Sequence, residues 1–202
     1  MRVAITMIIP VLLLVGCDKI EQLWSTKASD LKTVKIGFAR VSVNIPKKYE
    51  RVEPDDLINR ILETDTIYGE RRAARFEKMK AAGPAFMIYV DTADINNLIY
   101  FMDGDHVRLT SELVKYWVPR LEQTLESDWS EEGIHFKRID NQFYPGRTTQ
   151  LLKLKYELTR TEQLGYSTMY LISTSTNTFG VFVSGSANED YEELFSKIKI
   201  QR

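Results

Sequence analysis

A single cysteine, Cys17, stands in 202 residues. An internal disulfide is excluded, so the core must hold by packing alone. Histidine is nearly as scarce, with only His106 and His135. No His-Glu-x-x-His, paired-cysteine or calcium-loop spacing is present, so no metal site is expected. The glycine patterns that cradle phosphates, Gly-x-x-x-x-Gly-Lys-Ser/Thr and Gly-x-Gly-x-x-Gly, are missing too, and no cofactor is expected. Charge of one sign is not in excess. Lys and Arg number 27 against 28 Asp and Glu, a formal net charge of -1. Bulk electrostatics therefore give no reason to expect a nucleic-acid partner.

Long apolar runs are also lacking. Val3 to Gly16 carries no charged residue and follows Arg2. It is too short for a bilayer-spanning helix, which needs about 20 residues, and suits the apolar region of a secretory signal. It ends in Leu14-Val15-Gly16-Cys17 rather than in a small A-x-A-like pattern. This ending resembles the lipobox of bacterial lipoproteins. The resemblance implies a signal peptide over residues 1–16, cleaved between Gly16 and Cys17, and a diacylglyceryl group on the Cys17 thiol. The new amine would be open to acylation. Each chain adds about 0.8 kcal/mol per buried CH₂, and two or three chains hold a protein stably where one does not. Asp18 resembles the retention signal of enterobacterial-type lipoproteins. It favours the cytoplasmic membrane, facing the periplasm, over the outer membrane.

Residues 17–32 read as the lipidated N-terminus and a polar tether. Ile20, Leu23 and Trp24 have helix-like spacing within it, and Trp24 could rest at the lipid interface. Fully extended, such a tether reaches about 50 Å. Residues 33–202 remain, enough for one domain with a proper core. Without Arg2 the mature chain would have 26 basic and 28 acidic residues, a net -2. The chain is 44% apolar and 27% charged, an ordinary globular balance.

Residues 34–45 alternate as strand, but the parity slips at Ala39-Arg40, which predicts a bulge or a tight hairpin. Pro46 ends this stretch. Residues 54–82 predict helix, opened by Pro54 and Asp55-Asp56 and stopped by Gly83-Pro84. Thr64 to Gly69 weaken its middle, so two helices are allowed. Arg71, Arg72, Arg75, Lys78 and Lys80 read as a solvated face, with an anionic lipid surface as the alternative. Ala85 to Val90 and Leu98 to Met102 are apolar on both parities, as strands buried on both faces are. Asp103-Gly104 reads as a turn.

Residues 110–127 predict helix, kinked or restarted by Pro119 and ended at Asp128-Trp129. The last third predicts strands. Ile134, Phe136 and Ile139 alternate, and Leu152, Leu154, Tyr156 and Leu158 alternate as in a strand buried on one face. Between them Tyr144-Pro145-Gly146-Arg147 fits a type II turn. Glu162 to Gly165 reads as a turn before strands at Met169 to Ile172 and Phe179 to Val183. Ser186 and Glu189 fit a capping box for a closing helix with Tyr191, Leu194, Phe195 and Ile198.

The fold class expected is α+β, a largely antiparallel sheet packed by helices in a single domain. The early strand ending in Ile45-Pro46, the hairpins from Phe143 to Val183 and the closing helix resemble the PsbP/Mog1-like fold. That resemblance implies accessory, binding or assembly roles more often than catalysis, and it carries no functional residues over.

Candidate chemistry is sparse. Asp103-Gly104-Asp105-His106 is explained by turn chemistry, and His135 falls on the polar face of a strand pattern. Gly165-Tyr166-Ser167-Thr168-Met169 has half of a nucleophile elbow and lacks its closing glycine. Glu131-Glu132 and Glu192-Glu193 read as solvated acids. Tyr100, Tyr116, Trp117, Trp129, Phe143 and Tyr144 would line a groove if one edge gathered them, and are otherwise core. The function expected is a membrane-anchored envelope lipoprotein, not an enzyme, acting as a binding or assembly module with a protein partner. The alternatives are a carrier of an apolar ligand in a helix/sheet pocket and an envelope hydrolase. A wide empty apolar cavity would mark the carrier, convergent polar side chains with displaced pKa values in a cleft would mark the hydrolase, and a closed core with an exposed aromatic patch would mark the partner-binding module.

Overall fold

The computed structural model describes residues 28–65, 68–131, 133–161 and 163–200. Gly16, Cys17 and Asp18 lie outside them, and the lipobox with them. Lys32–Arg202 form one compact unit. After a 3-10 turn at Ala28–Asp30 come β1 (Leu31–Ile36) and β2 (Val41–Pro46). The parity slip between them is a tight turn. Arg40 N donates to Gly37 O at 3.2 Å, and Arg40 takes a φ of 51°. The turn brings Val34 and Ile36 into the same core as Val41, Val43 and Ile45.

Seven strands form the main sheet: β3 (Tyr49–Val52), β4 (Phe86–Asp91), β5 (Leu98–Gly104), β6 (His135–Tyr144), β7 (Gln150–Arg160), β8 (Gln163–Ser173) and β9 (Thr178–Gly185). Their spatial order is β3-β4-β5-β9-β8-β7-β6, and each neighbouring pair is antiparallel. A smaller sheet is ordered β1-β2-β10, where β10 is Lys199–Ile200. The helices are α1 (Pro54–Thr64), α2 (Gly69–Ala82), α3 (Ser111–Glu131) and the short α4 (Glu192–Ser196). The fold is α+β.

Register assigns the two faces of the main sheet, because side chains alternate along each strand. Tyr100 pairs with Phe182, Phe182 with Met169, and Met169 with Leu154, so these four share one face. On that face Leu57 and Ile61 of α1 and Phe76 of α2 pack with Ile88, Val90 and Leu98. Farther along it, Val114, Val118 and Trp129 of α3 pack with Leu152, Leu154 and Tyr156. The opposite face carries Phe101, Val181, Tyr170 and Ile172, covered by Ile36, Val43 and Ile45 of the small sheet and by Phe195 of α4. The layers are thus small sheet with α4, large sheet, and helices.

The 54–82 stretch is two helices, α1 and α2, as its weak middle allows, with Asp65 turning between them. Several expectations need correction. Helix α3 runs on to Glu131 with Pro119 inside it, because Trp129 gains a buried site against Phe136 and Tyr156. Asp103 and Gly104 are not a turn but the end of β5, paired with Phe179 and Thr178. The turn expected at Glu162 to Gly165 is shorter, since β8 begins at Gln163, and Thr161 takes a φ of 54°.

Gly146 does not take the positive φ of a type II turn. Its N–H bonds to Tyr144 O at 3.0 Å, as in a three-residue turn. A Cβ there would lie 2.0 Å from Thr149 O, so close backbone approach is what requires glycine. The capping box at Ser186 and Glu189 is not formed, and α4 starts only at Glu192. Strands β3 and β10 are additional. Both are short, and β3 exposes its two middle residues, so neither leaves a clear apolar alternation.

A cleft walled by arginine

The α1–α2 junction, the β4–β5 loop and the adjoining ends of β7, β8 and β9 enclose a cleft of about 780 Å³ that opens to solvent. Asp65 builds its first wall. Its backbone N–H closes α1 onto Ile61 O at 2.9 Å, its carbonyl takes the Gly69 N–H at 2.9 Å, and its carboxylate accepts the Tyr68 N–H at 2.8 Å. Asp65 thereby ends one helix and starts the next, which aims Arg72 and Arg75 into the cleft. Arg72 Nη1 donates to Asn96 Oδ1 at 2.7 Å and to Asp65 Oδ2 at 3.3 Å. Asn96 is itself fixed, because its N–H bonds to Asp94 Oδ1 at 2.9 Å. The opposite wall carries Arg160, at the end of β7. Its guanidinium lies 3.9 Å from the centroid of the Tyr68 ring, a cation–π contact that holds the fork flat. Ile134, Leu158, Leu164 and Tyr166 add apolar lining.

A second polar assembly lies on the other face of the main sheet. Lys153 and Lys155 sit on β7 opposite Tyr170 and Thr168, and both are buried. Lys153 Nζ meets Asp190 Oδ2 at 2.5 Å, Asp140 Oδ2 at 2.9 Å and Glu192 Oε2 at 3.0 Å. Burial pulls the Lys153 ammonium down, but the hydrogen bonds it donates to Asp190, Asp140 and Glu192 outweigh this and raise its pKa. Lys155 Nζ donates to the backbone carbonyl of Glu189 at 3.0 Å, and burial lowers its pKa. Alongside, Lys48 bridges Asp91 at 3.1 Å and Glu189 at 2.9 Å. The Tyr191 hydroxyl bonds to Glu189. Burial and then the Glu189 carboxylate push the Tyr191 phenol up, and burial pushes Tyr49 up to about 12. These groups satisfy one another and tie the C-terminal segment to the sheet.

Of the residues singled out by sequence, Arg72, Arg75, Gly165 and Tyr166 line the cleft, and the others fall elsewhere. His106 is exposed between β5 and α3, and His135 is exposed at the start of β6, as its strand pattern implied. Among the described residues no three His, Cys, Asp or Glu side chains converge as a metal site. Ser167 lies within β8, paired with Tyr156 and Ser184, so it occupies no elbow. Glu192 joins Lys153, while Glu193 is exposed and pairs with Lys197 at 2.5 Å. Glu131 ends α3 and Glu132 lies outside the described residues. The aromatic set is dispersed. Tyr100 stacks on Phe182 at 4.6 Å, Trp117, Trp129 and Phe143 join the α3 cluster, Tyr116 is exposed beneath Arg120, and Tyr144 bonds Glu192 at 2.5 Å. None of them lines the cleft. Arg72 and Arg75 belong to the charged run of α2, but Tyr68, Asn96 and Arg160 carry no sequence signal of a shared site.

No family model matches the chain, and no curated protein matches it. Among solved structures it is similar to the solution structure of cyanobacterial PsbP (CyanoP) from Synechocystis sp. PCC 6803. The TM-score is 0.54 at 11% identity, over 89% of this chain and 99% of that one. At that identity the likeness shows the fold alone, and it is the PsbP-like fold that the strand and helix order resembled.

Proposed function

We propose that this chain is a lipid-anchored envelope protein whose α+β domain is a non-catalytic binding or assembly module. Leu14-Val15-Gly16-Cys17 supports the anchor, with Cys17 as the lipidated residue, and Asp18 supports the periplasmic face of the inner membrane. One observation carries the module reading: the open cleft is walled by guanidinium groups. Guanidinium stays charged at any physiological pH and neither gives nor takes a proton. It is a group for binding anions rather than for acid or base work. The two groups whose pKa is displaced most, Tyr191 and Tyr170, lie with Lys153 in the assembly that holds the C-terminal segment, and Tyr156, also pushed up by burial, packs against Trp129 and Phe136; none of them lines the cleft. That distribution favours a binding module over a hydrolase. An apolar carrier would need an enclosed apolar cavity, whereas this cleft is open and lined by arginines. Among the described residues no helix is long and apolar enough to cross a membrane.

The anchor is tested with Cys17→Ser in the native host. The variant leaves the membrane fraction and loses metabolic labelling with clickable palmitate. An unchanged membrane fraction overturns the lipoprotein reading. The module is tested by crosslinking in native membranes. A specific protein adduct supports it, and copurifying lipid with no protein adduct points to the carrier instead.

A further inference from the structure

We infer that the outer face of the β1–β2 hairpin docks on anionic phospholipid headgroups, an inference that rests on the lipid-anchor reading. Charge is the first ground. The stretch from Lys32 to Lys48 holds Lys32, Lys35, Arg40, Lys47 and Lys48, five of the chain's 27 Lys and Arg, and none of its 28 Asp and Glu. The rest of the chain is left with 22 basic against 28 acidic residues. Lys48 is paired, with Asp91 and Glu189. Lys32, Lys35, Arg40 and Lys47 make no ion pair among the described residues. The basic run of α2 is the lesser candidate, because Arg72 is held by Asp65 and Asn96 and Lys80 by Asp55.

Placement is the second ground. Val34, Ile36, Val41, Val43 and Ile45 turn inward to the core, so Thr33, Lys35, Ser42 and Asn44 stand on the outer face. The Thr33 hydroxyl donates to Asn44 Oδ1 across it at 2.8 Å. Lys35 is exposed there, and Arg40 and Lys47 are exposed in the turns at the two ends of β2. Asn177 Nδ2 donates to Phe38 O at 2.8 Å and fixes the turn that carries Arg40. No large apolar side chain of this stretch is exposed. The face therefore suits contact with headgroups without insertion, and it lacks the apolar or aromatic anchor that a protein interface is built around. The tether is the third ground. Cys17 stands fifteen positions before Lys32, at most about 50 Å of extended chain. An acylated Cys17 keeps the hairpin at high effective concentration above the bilayer, so modest attraction is enough to turn the domain. Each cation near an anionic leaflet shifts that balance about fivefold. Docked this way, the domain turns helices α1 to α3, on the far face of the main sheet, toward the compartment.

The test is energy transfer from the full chain to a headgroup-labelled lipid. The chain is purified from its native host and reconstituted in phosphatidylcholine vesicles with or without phosphatidylglycerol. The donor dye is attached at Asn44→Cys, on the outer face of the hairpin, or at Gln123→Cys, exposed on α3 across the main sheet. With phosphatidylglycerol, transfer from position 44 should exceed that from position 123. Without it, or at an ionic strength of about 1 M, where charge is screened within about 3 Å, the difference should close. Lys35→Gln alone should lower the ratio of docked to undocked orientations about fivefold, and Lys35→Gln with Arg40→Gln and Lys47→Gln about a hundredfold. Lys35→Arg with Arg40→Lys and Lys47→Arg should keep it. So should Arg60→Gln with Lys78→Gln and Lys115→Gln, which remove as much charge from exposed positions on α1, α2 and α3. Melting curves confirm that each variant is folded.

Equal transfer from the two positions on anionic vesicles overturns the proposal. So does a difference that survives high salt or the triple Gln variant of the hairpin. Stronger transfer from position 123 overturns it in favour of the helical face. If the chain carries palmitate and floats with neutral vesicles, yet shows no difference on anionic ones, the anchor reading stands and this one falls. A chain that carries no palmitate takes both down.

Discussion

Lys153 Nζ donates to Asp190 Oδ2 at 2.5 Å from a side chain only 3% exposed. A lysine on a central strand is an expensive residue to bury, and the cost is met by three carboxylates that arrive from different places. Asp140 comes from the neighbouring strand β6, and Asp190 and Glu192 come from the segment around α4. Helix α4 has five residues, too few to be stable on its own. Its hold on the sheet comes from Phe195, buried against Phe101 and Tyr170, and from this ionic clasp beside it.

Lys153→Met tests the clasp. The substitution keeps much of the apolar volume and removes the ammonium, so Asp140, Asp190 and Glu192 are left facing one another. Breaking a buried pair by removing one partner costs about 3–5 kcal/mol. Urea denaturation near neutral pH should show a loss of that order, and hydrogen exchange should show early opening of the segment from Glu189 to Ile200. A loss below about 1 kcal/mol, in the range of an exposed pair, would show that the clasp is solvated and weak.

The clasp also sets a pH dependence. Burial pushes the Asp190 carboxyl up, but the hydrogen bonds of Lys153 and the Glu192 N–H, with the Lys153 and Lys155 charges, win and hold it below the ordinary range. Asp140 is lowered in the same way, with burial outweighed chiefly by Lys153. A carboxyl whose folded pKa lies below its unfolded value, about 3.9 for aspartate, stabilises the fold above that value. The contribution is lost as pH falls through the folded value, because the unfolded chain binds more protons there. The melting temperature should therefore hold from neutral pH to about 5 and drop below about 4. In Lys153→Met the crowded carboxylates gain from protonation, so the variant's deficit should narrow as pH falls. Calorimetry of both proteins across this range decides the matter, and parallel curves would refute the assignment.

The parts of the fold that were legible in the sequence are those where one segment announces its own burial. The stripe of Leu57, Ile58 and Ile61 gave α1, and the two-parity runs gave β4 and β5. Strand β7 was half legible. Leu152, Leu154 and Tyr156 marked one buried face, but Lys153 and Lys155 suggested a wet one. They are buried because Asp190 and Glu192, almost forty residues on, close over them. The capping box misled for the same reason. Glu189 spends its side chain on Lys48 and Tyr191 rather than on a helix terminus, and the Glu192 N–H is capped by Asp190 at 3.0 Å. The cleft was illegible as a whole. Its guanidinium–ring contact joins Arg160 to Tyr68 across more than ninety positions, and no local pattern encodes that distance.

Gly185 links the backbone of the main sheet to that cleft. A Cβ placed there would meet Asn97 Oδ1 at 2.4 Å and Asn97 Cγ at 3.2 Å. Asn97 cannot simply swing aside, because its Oδ1 also accepts the Ser186 N–H at 3.1 Å and its carbonyl accepts the Asp91 N–H at 2.9 Å. Gly185→Ala should therefore displace the β4–β5 loop. The neighbouring Asn96, which holds Arg72 at 2.7 Å, would move with it. Overpacking of this kind costs about 1–3 kcal/mol. The expected result is a modest fall in melting temperature together with a displaced Arg72. The NMR signals of the Arg72 guanidinium should shift while those of Phe195 and Ile172, in the core on the opposite face, stay in place. If the melting temperature falls but the Arg72 signals do not change, the loop does not position Arg72.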